Sequence, residues 1–152
     1  MQLKFSNFSY HIPKWYVLDA TNQKLGNLVA LIIKLICGKK LLLYTKEKFQ
    51  PNYVIIINSN KIKLSGQKLI QKKYYTNSQR PGSLKIKTAQ MLLNTIPNRL
   101  IEEAVWGMLA KNKISNQFYK YLYVYENNKI LLSKNNINFN LIKLNKNNFL
   151  HD

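Results

Sequence analysis

Acidic residues are scarce in this chain: six stand against 24 lysines and arginines in 152 residues, a formal net charge of +18. A neutral enzyme has no use for such an excess, which repels itself until a polyanion neutralises it, and a nucleic acid is the partner that fits. Histidine is scarcer still, with His11 and His151 at opposite ends. The acids Asp19, Glu47, Glu102, Glu103, Glu126 and Asp152 stand singly apart from one adjacent pair. Neither a metal centre nor a Ser-His-Asp relay is expected from that inventory, so no catalytic residue, metal ligand or cofactor is assigned. The one cysteine, Cys37, lies in an apolar run, which excludes an intrachain disulfide and predicts a buried free thiol. Long apolar runs are missing too. The stretch from Leu28 to Cys37 is interrupted by Lys34 and falls short of the ~20 residues a membrane span requires, so no membrane partner is expected. Met1 to Phe5 lacks the apolar core of a secretory signal; any import peptide is expected to have been removed already or never needed. Arginine occurs only as Arg80 and Arg99, leaving lysine as nearly the whole cationic complement. Lysines act as flexible point charges, which favours phosphate contact over the reading of base edges.

What is present suits one domain with a real core: residues 15–126, preceded by an extension at 1–14 and followed by an Asn/Lys-rich tail at 127–152. Trp15 to Asp19 reads as a strand that breaks into the Asp19-Ala20-Thr21-Asn22 loop. From Leu25 to Cys37 apolar residues nearly encircle a helix, with Asn27 and Lys34 on one polar side and Gly38 as the stop. Tyr53 to Asn58 has the unbroken apolar character of a parallel strand covered on both faces, so strand, helix and strand read as a right-handed crossover. Lys61 to Leu64 alternates cation with aliphatic and is expected as a half-buried or edge strand turning at Ser65-Gly66. Further strand character follows at Lys72 to Tyr75 and Leu84 to Lys87, around a Pro81-Gly82 turn that carries Arg80 at its tip. A helix from Thr88 to Ile96 opens on a threonine cap. The next begins at Pro97, with Leu100, Ile101, Ala104, Val105, Met108 and Leu109 forming its apolar face before the chain reaches Lys111 and Lys113. A short helix at Ser115 to Lys120 and a last strand at Leu122 to Tyr125 complete the expected order, and the tail shows little periodicity.

Lys61, Lys63, Lys68, Lys72 and Lys73 gather five cations in a segment without an acid, next to Tyr74 and Tyr75. Rings beside cations can stack on unpaired bases while lysines hold phosphates; alternation along a strand sends one of the two tyrosines into the core and the other outward. Lys39 and Lys40 follow the first helix, where they suit the negative end of its dipole and RNA contact equally. Trp106 falls beside the glutamates, away from the Leu100-Ala104-Met108 face, which fits either a docking surface or partial burial against another segment.

The segment Ala104-Val105-Trp106-Gly107-Met108-Leu109-Ala110-Lys111 resembles a signature of the ribosomal large-subunit protein L-thirteen family. Other pieces resemble the same family in the same order: Trp15 to Ala20, Leu25-Gly26, Gly38-Lys39-Lys40, Tyr44-Thr45, Tyr53 to Asn58, Ser65 to Lys68, Lys72 to Tyr75 and Arg80 to Lys85. Asn27 in place of arginine and Ala110 in place of proline depart from the pattern. The resemblance implies a three-layer α/β/α domain with a small, largely parallel sheet, basic loops and terminal extensions. It also implies a non-enzymatic role, binding large-subunit ribosomal RNA beside neighbouring ribosomal proteins and supporting assembly and translation, with no small-molecule substrate. The positions matching RNA-facing motifs are Lys39, Lys40, Lys68, Lys72, Lys73, Tyr75, Arg80, Lys85 and Lys111; Trp106 is the partner-docking candidate from its place on the helix alone. Heavy use of Lys, Asn and Ile reads as AT-rich coding, and the Arg80-Pro81-Gly82 and Ile96-Pro97-Asn98-Arg99 wording resembles plastid members. An organellar ribosome is therefore expected, in a plastid or apicoplast-like relic plastid before a mitochondrion. The alternatives are a lysine-rich nucleic-acid packaging protein outside the ribosome and, third, an RNA-processing enzyme.

Overall fold

Five residues of β1 (Trp15–Asp19) run parallel to β2 (Tyr53–Ile57), with Trp15 opposite Tyr53 and Asp19 opposite Ile57. The computed structural model describes residues 13–39, 49–128 and the backbone of 139–142. Lys40, Tyr44, Thr45 and most of the two terminal segments lie outside the described residues. Two further parallel strands, β5 (Leu122–Val124) beyond β2 and β6 (Phe139–Ile142) beyond β1, complete a sheet ordered β5-β2-β1-β6. The result is an α/β domain on a small parallel sheet, consistent with the three-layer arrangement. β6 was not expected: Phe-Asn-Leu-Ile in an Asn/Lys-rich stretch has no strand periodicity of its own, and its pairing with β1 is a long-range choice.

Between β1 and β2 runs α1 (Leu25–Ile36), which buries Leu25, Leu28, Val29, Ile32, Leu35 and Ile36. Gly38, at φ +67°, ends it: Gly38 N–H donates to the Leu35 carbonyl and Lys39 N–H to that of Lys34, each at 3.0 Å. This paired closure needs a left-handed residue, which glycine adopts without strain. Asn52 then clasps three segments. Its Nδ2 donates to the Leu35 carbonyl at 3.0 Å, its backbone N–H donates to Ile36, and its Oδ1 accepts from Lys14 N–H at 3.1 Å. Cys37 is half-buried rather than buried, because it sits on the helix-ending turn; burial pushes its thiol pKa up, and nearby Lys39 offsets this only in part.

Beyond the sheet come α2 (Lys68–Gln71), the antiparallel ribbon β3 (Lys73–Thr76) and β4 (Lys85–Thr88), and helices α3 (Ala89–Thr95), α4 (Pro97–Met108) and α5 (Lys113–Tyr119). Thr88 Oγ1 caps α3 by accepting from Met91 N–H at 3.3 Å, and Pro97 opens α4 at a position that needs no donor. Ser59 Oγ donates to Asn98 Oδ1 at 2.6 Å, tying the turn after β2 to α4. α4 buries Leu100, Ile101 and Val105 on α1 and on the sheet face that carries Leu18, Val54 and Ile56. The opposite sheet face buries Val17, Ile55 and Ile57 beside Trp15, Tyr123 and Tyr125, and the Trp15 and Tyr53 rings stack at 4.0 Å and 8°. Each aliphatic side chain so enclosed is worth about 1.5–3 kcal/mol.

Two local expectations need correction. Lys61 to Leu64 is not a strand: a short tight helical turn at Ser59–Lys61 leads into a loop whose ladder pairing is one parallel bridge, Lys63 to Lys24. The alternation there reflects Ile62 dipping into the core from a loop. Met108, expected on the apolar face of α4, is 55% exposed, because it lines an open cleft at the helix end instead of meeting α1. No helix among the described residues is long and apolar enough to cross a membrane.

Candidate nucleic-acid interface

The β3–β4 ribbon presents cations on both faces. Lys73 pairs with Thr88, Tyr74 with Lys87, Tyr75 with Ile86 and Thr76 with Lys85, and directly opposed residues share a face. Tyr75 therefore stands on the face of Lys73, 63% exposed, while Tyr74 turns toward the main core, as strand alternation requires. Lys72 Nζ sits 5.1 Å from the Tyr74 ring centroid, a cation over an aromatic face. At the ribbon's far end Gln79 and Gly82 take φ of +64° and +74°, and Asn77 Oδ1 accepts from Gln79 N–H at 2.9 Å and Ser83 Oγ at 2.5 Å. That small knot holds Arg80 exposed at the turn. The ribbon is joined to the body where Ala89 N–H donates to the Lys72 carbonyl at 2.9 Å.

Lys68 and Lys72 share a cleft with Lys24, which precedes α1, so the fold gathers these with the ribbon cations into one basic region. Lys24 and Lys87 belong to this set and were not singled out from sequence. The available signal for Lys24 was its place one residue before Leu25-Gly26, and for Lys87 the cation–aliphatic alternation of β4. Lys39 is exposed at the other end of α1, separated from Lys24 by a helix about 18 Å long.

Lys111 and Trp106 form a third cluster. Lys111 Nζ donates to the Trp106 carbonyl at 3.1 Å and lies 5.1 Å from the indole centroid, neutralising the negative end of α4. The indole meets Tyr119 edge-on at 5.6 Å and remains 44% exposed, so it is packed on one side and open on the other. Burial raises the Tyr119 hydroxyl pKa, with Glu102 and Glu103 adding to the shift. Glu103 is occupied by Arg99, whose Nε donates to it at 2.7 Å.

This arrangement suits phosphate neutralisation: dispersed lysines, the exposed Tyr75 ring and no acid between Glu47 and Glu102. Residues 13–130 match the family model described as Ribosomal protein L13. The large ribosomal subunit protein uL13 of Crocosphaera subtropica is 46% identical over 112 residues, covering 74% of each chain. That of Thermosynechococcus vestitus is 43% identical over 113 residues, again 74% of each. That of Mycoplasmopsis synoviae is 45% identical over 117 residues, 74% of this chain and 78% of its own. With a parallel α/β core bearing a lysine-rich ribbon and a family match over most of its length, the chain belongs to the ribosomal protein L13 family.

Proposed function

We propose that this chain is a structural, non-catalytic constituent of the large ribosomal subunit, holding large-subunit ribosomal RNA through Lys39, Lys40, Lys68, Lys72, Lys73, Tyr75, Arg80, Lys85 and Lys111. The observation that carries the reading is the basic region around the ribbon, drawn from a stretch with no acid between Glu47 and Glu102, on a chain with a net charge of +18. Lysines there neutralise phosphates and let RNA segments approach each other without base-specific readout, and Tyr75 offers an exposed face for a base. The open side of Trp106 docks a neighbouring ribosomal protein. The cyanobacterial relatives support a plastid ribosome, ahead of a mitochondrial one. A packaging protein outside the ribosome would share the charge but exchange readily in salt.

The test is sedimentation of a gentle native lysate through a high-salt gradient, with this chain and organelle-specific ribosomal RNA followed in each fraction. Co-migration with large-subunit particles is expected, and the RNA names the compartment. Release to the top of the gradient, or recovery on DNA with none in subunits, overturns the proposal. Lys72→Glu with Lys73→Glu sharpens it: incorporation into subunits falls, and the salt dependence of RNA binding drops by about one unit per lost phosphate contact. Unfolding of the isolated double variant would assign those lysines to the fold instead.

A further inference from the structure

Between the start of α1, the Leu64-Ser65 loop, α2 and the end of α4 lies a cleft of about 330 Å³. The exposed Lys24, Lys68 and Lys72 form its rim; its floor is apolar, formed by the buried Leu25 and Val29 with the half-buried Leu64. The acid on its lining, Glu103, is neutralised by Arg99. Gly26 and Gly107 also line it, and a Cβ added at either would meet nothing within 4 Å. We infer that this cleft receives one unstacked nucleotide of single-stranded RNA, its base on the apolar floor and its phosphates on the three rim lysines.

The inference rests on the ribosomal-RNA reading above and goes beyond it, because surface neutralisation needs no pocket. At the small end of the roughly 300–1,000 Å³ range of ligand sites, the volume suits one nucleotide; a duplex, with its bases turned inward, could only lie across the mouth. Base faces are flat and weakly polar, and RNA recognition at unpaired positions works by splaying such bases into protein surfaces. Three cations around an apolar floor match that amphipathic unit better than a protein side chain, which would bring either charge or apolar bulk but rarely both. Met108, in register with Ile101, Ala104 and Val105 yet 55% exposed at the helix end, supplies apolar surface at the cleft's mouth.

Gly107→Leu plugs the cleft without altering charge, in helical backbone with open space around it. The probes are a short single-stranded RNA carrying 2-aminopurine and a duplex RNA of equal phosphate number, titrated into the full chain. The expected result is about a tenfold loss of single-strand affinity with loss of the 2-aminopurine signal change, while duplex affinity and melting temperature stay put. Gly26→Leu, entering the same cleft from α1, should reproduce this pattern and guards against a misfolded first variant. Unchanged single-strand binding in both plugged proteins overturns the inference and leaves the cleft to a protein side chain. Equal losses on both RNAs overturn it as well, since they place the effect outside the pocket. Failure of the unmodified chain to bind either RNA overturns the ribosomal-RNA reading itself, and this inference with it.

Discussion

The parallel sheet and the β3–β4 ribbon are both made of short strands rich in isoleucine and tyrosine, yet they live in opposite environments. Ile56 of β2 is fully buried between neighbouring strands and helices, whereas Ile86 of β4 is 51% exposed opposite an exposed Tyr75. The sheet is enclosed by its own chain. The ribbon has two strands, little to pack on and a row of cations, so its shape is maintained by the Asn77 knot and the Thr88 cap more than by burial. One region specifies the fold and the other holds what the fold presents.

The contrast breaks most visibly in stability. Ile56→Ala should cost about 2–5 kcal/mol through lost burial and the cavity left behind. Ile86→Ala should stay within about 0.5 kcal/mol, as for an exposed site. Urea unfolding of both variants checks this, and similar losses would mean the ribbon is as integral as the sheet. A finer comparison uses one residue type in both regions. Asn52→Ala leaves the buried Leu35 carbonyl and the partly buried Lys14 N–H without this side chain and should cost about 1–3 kcal/mol. Asn77→Ala, which loosens only the exposed turn, should remain within about 0.5 kcal/mol by the same measurement.

The smallest effect lies at the carboxyl end of β1. Burial alone would raise the Asp19 pKa, but hydrogen bonds from Thr21 and Asn58 and the nearby Lys61 charge outweigh it and hold the carboxyl below its usual value. A depressed folded pKa contributes stability that is present above the unfolded value, about 3.9, and lost as pH falls through the folded value. The melting-temperature gap between the natural chain and Asp19→Asn should therefore be open at neutral pH and close in acid. A gap independent of pH would show that the turn depends on Asp19 geometry rather than its charge.

Legibility in the sequence tracked the same division. β1, α1, β2 and α4 could be read because continuous apolar runs, Gly38 and Pro97 each impose one local solution. α2 is too short for any periodicity to show, and the turn at Ser59–Lys61 carries no hydrophobic signal. Lys61 to Leu64 misled because alternation records which residues touch the core, and a loop crossing its rim produces the same pattern as a strand. In the candidate site the Tyr74/Tyr75 division was readable from period-two alternation, whereas Lys87 was not singled out although it continues the same pattern on β4. The cleft was not, because Lys24 and Gly107 lie far apart in sequence and meet only through the packing of α1 on α4.

Strand order carries a consequence for synthesis. β1 emerges before its two neighbours in the sheet, which begin at residues 53 and 139, so the sheet cannot close until residue 142 has been made. Such pairings across long sequence distances form slowly and leave strand edges open meanwhile. During that interval the nascent protein is a cationic polymer with an unfinished core. The order of events at its destination is then a contest between completing the sheet and being caught by a polyanion.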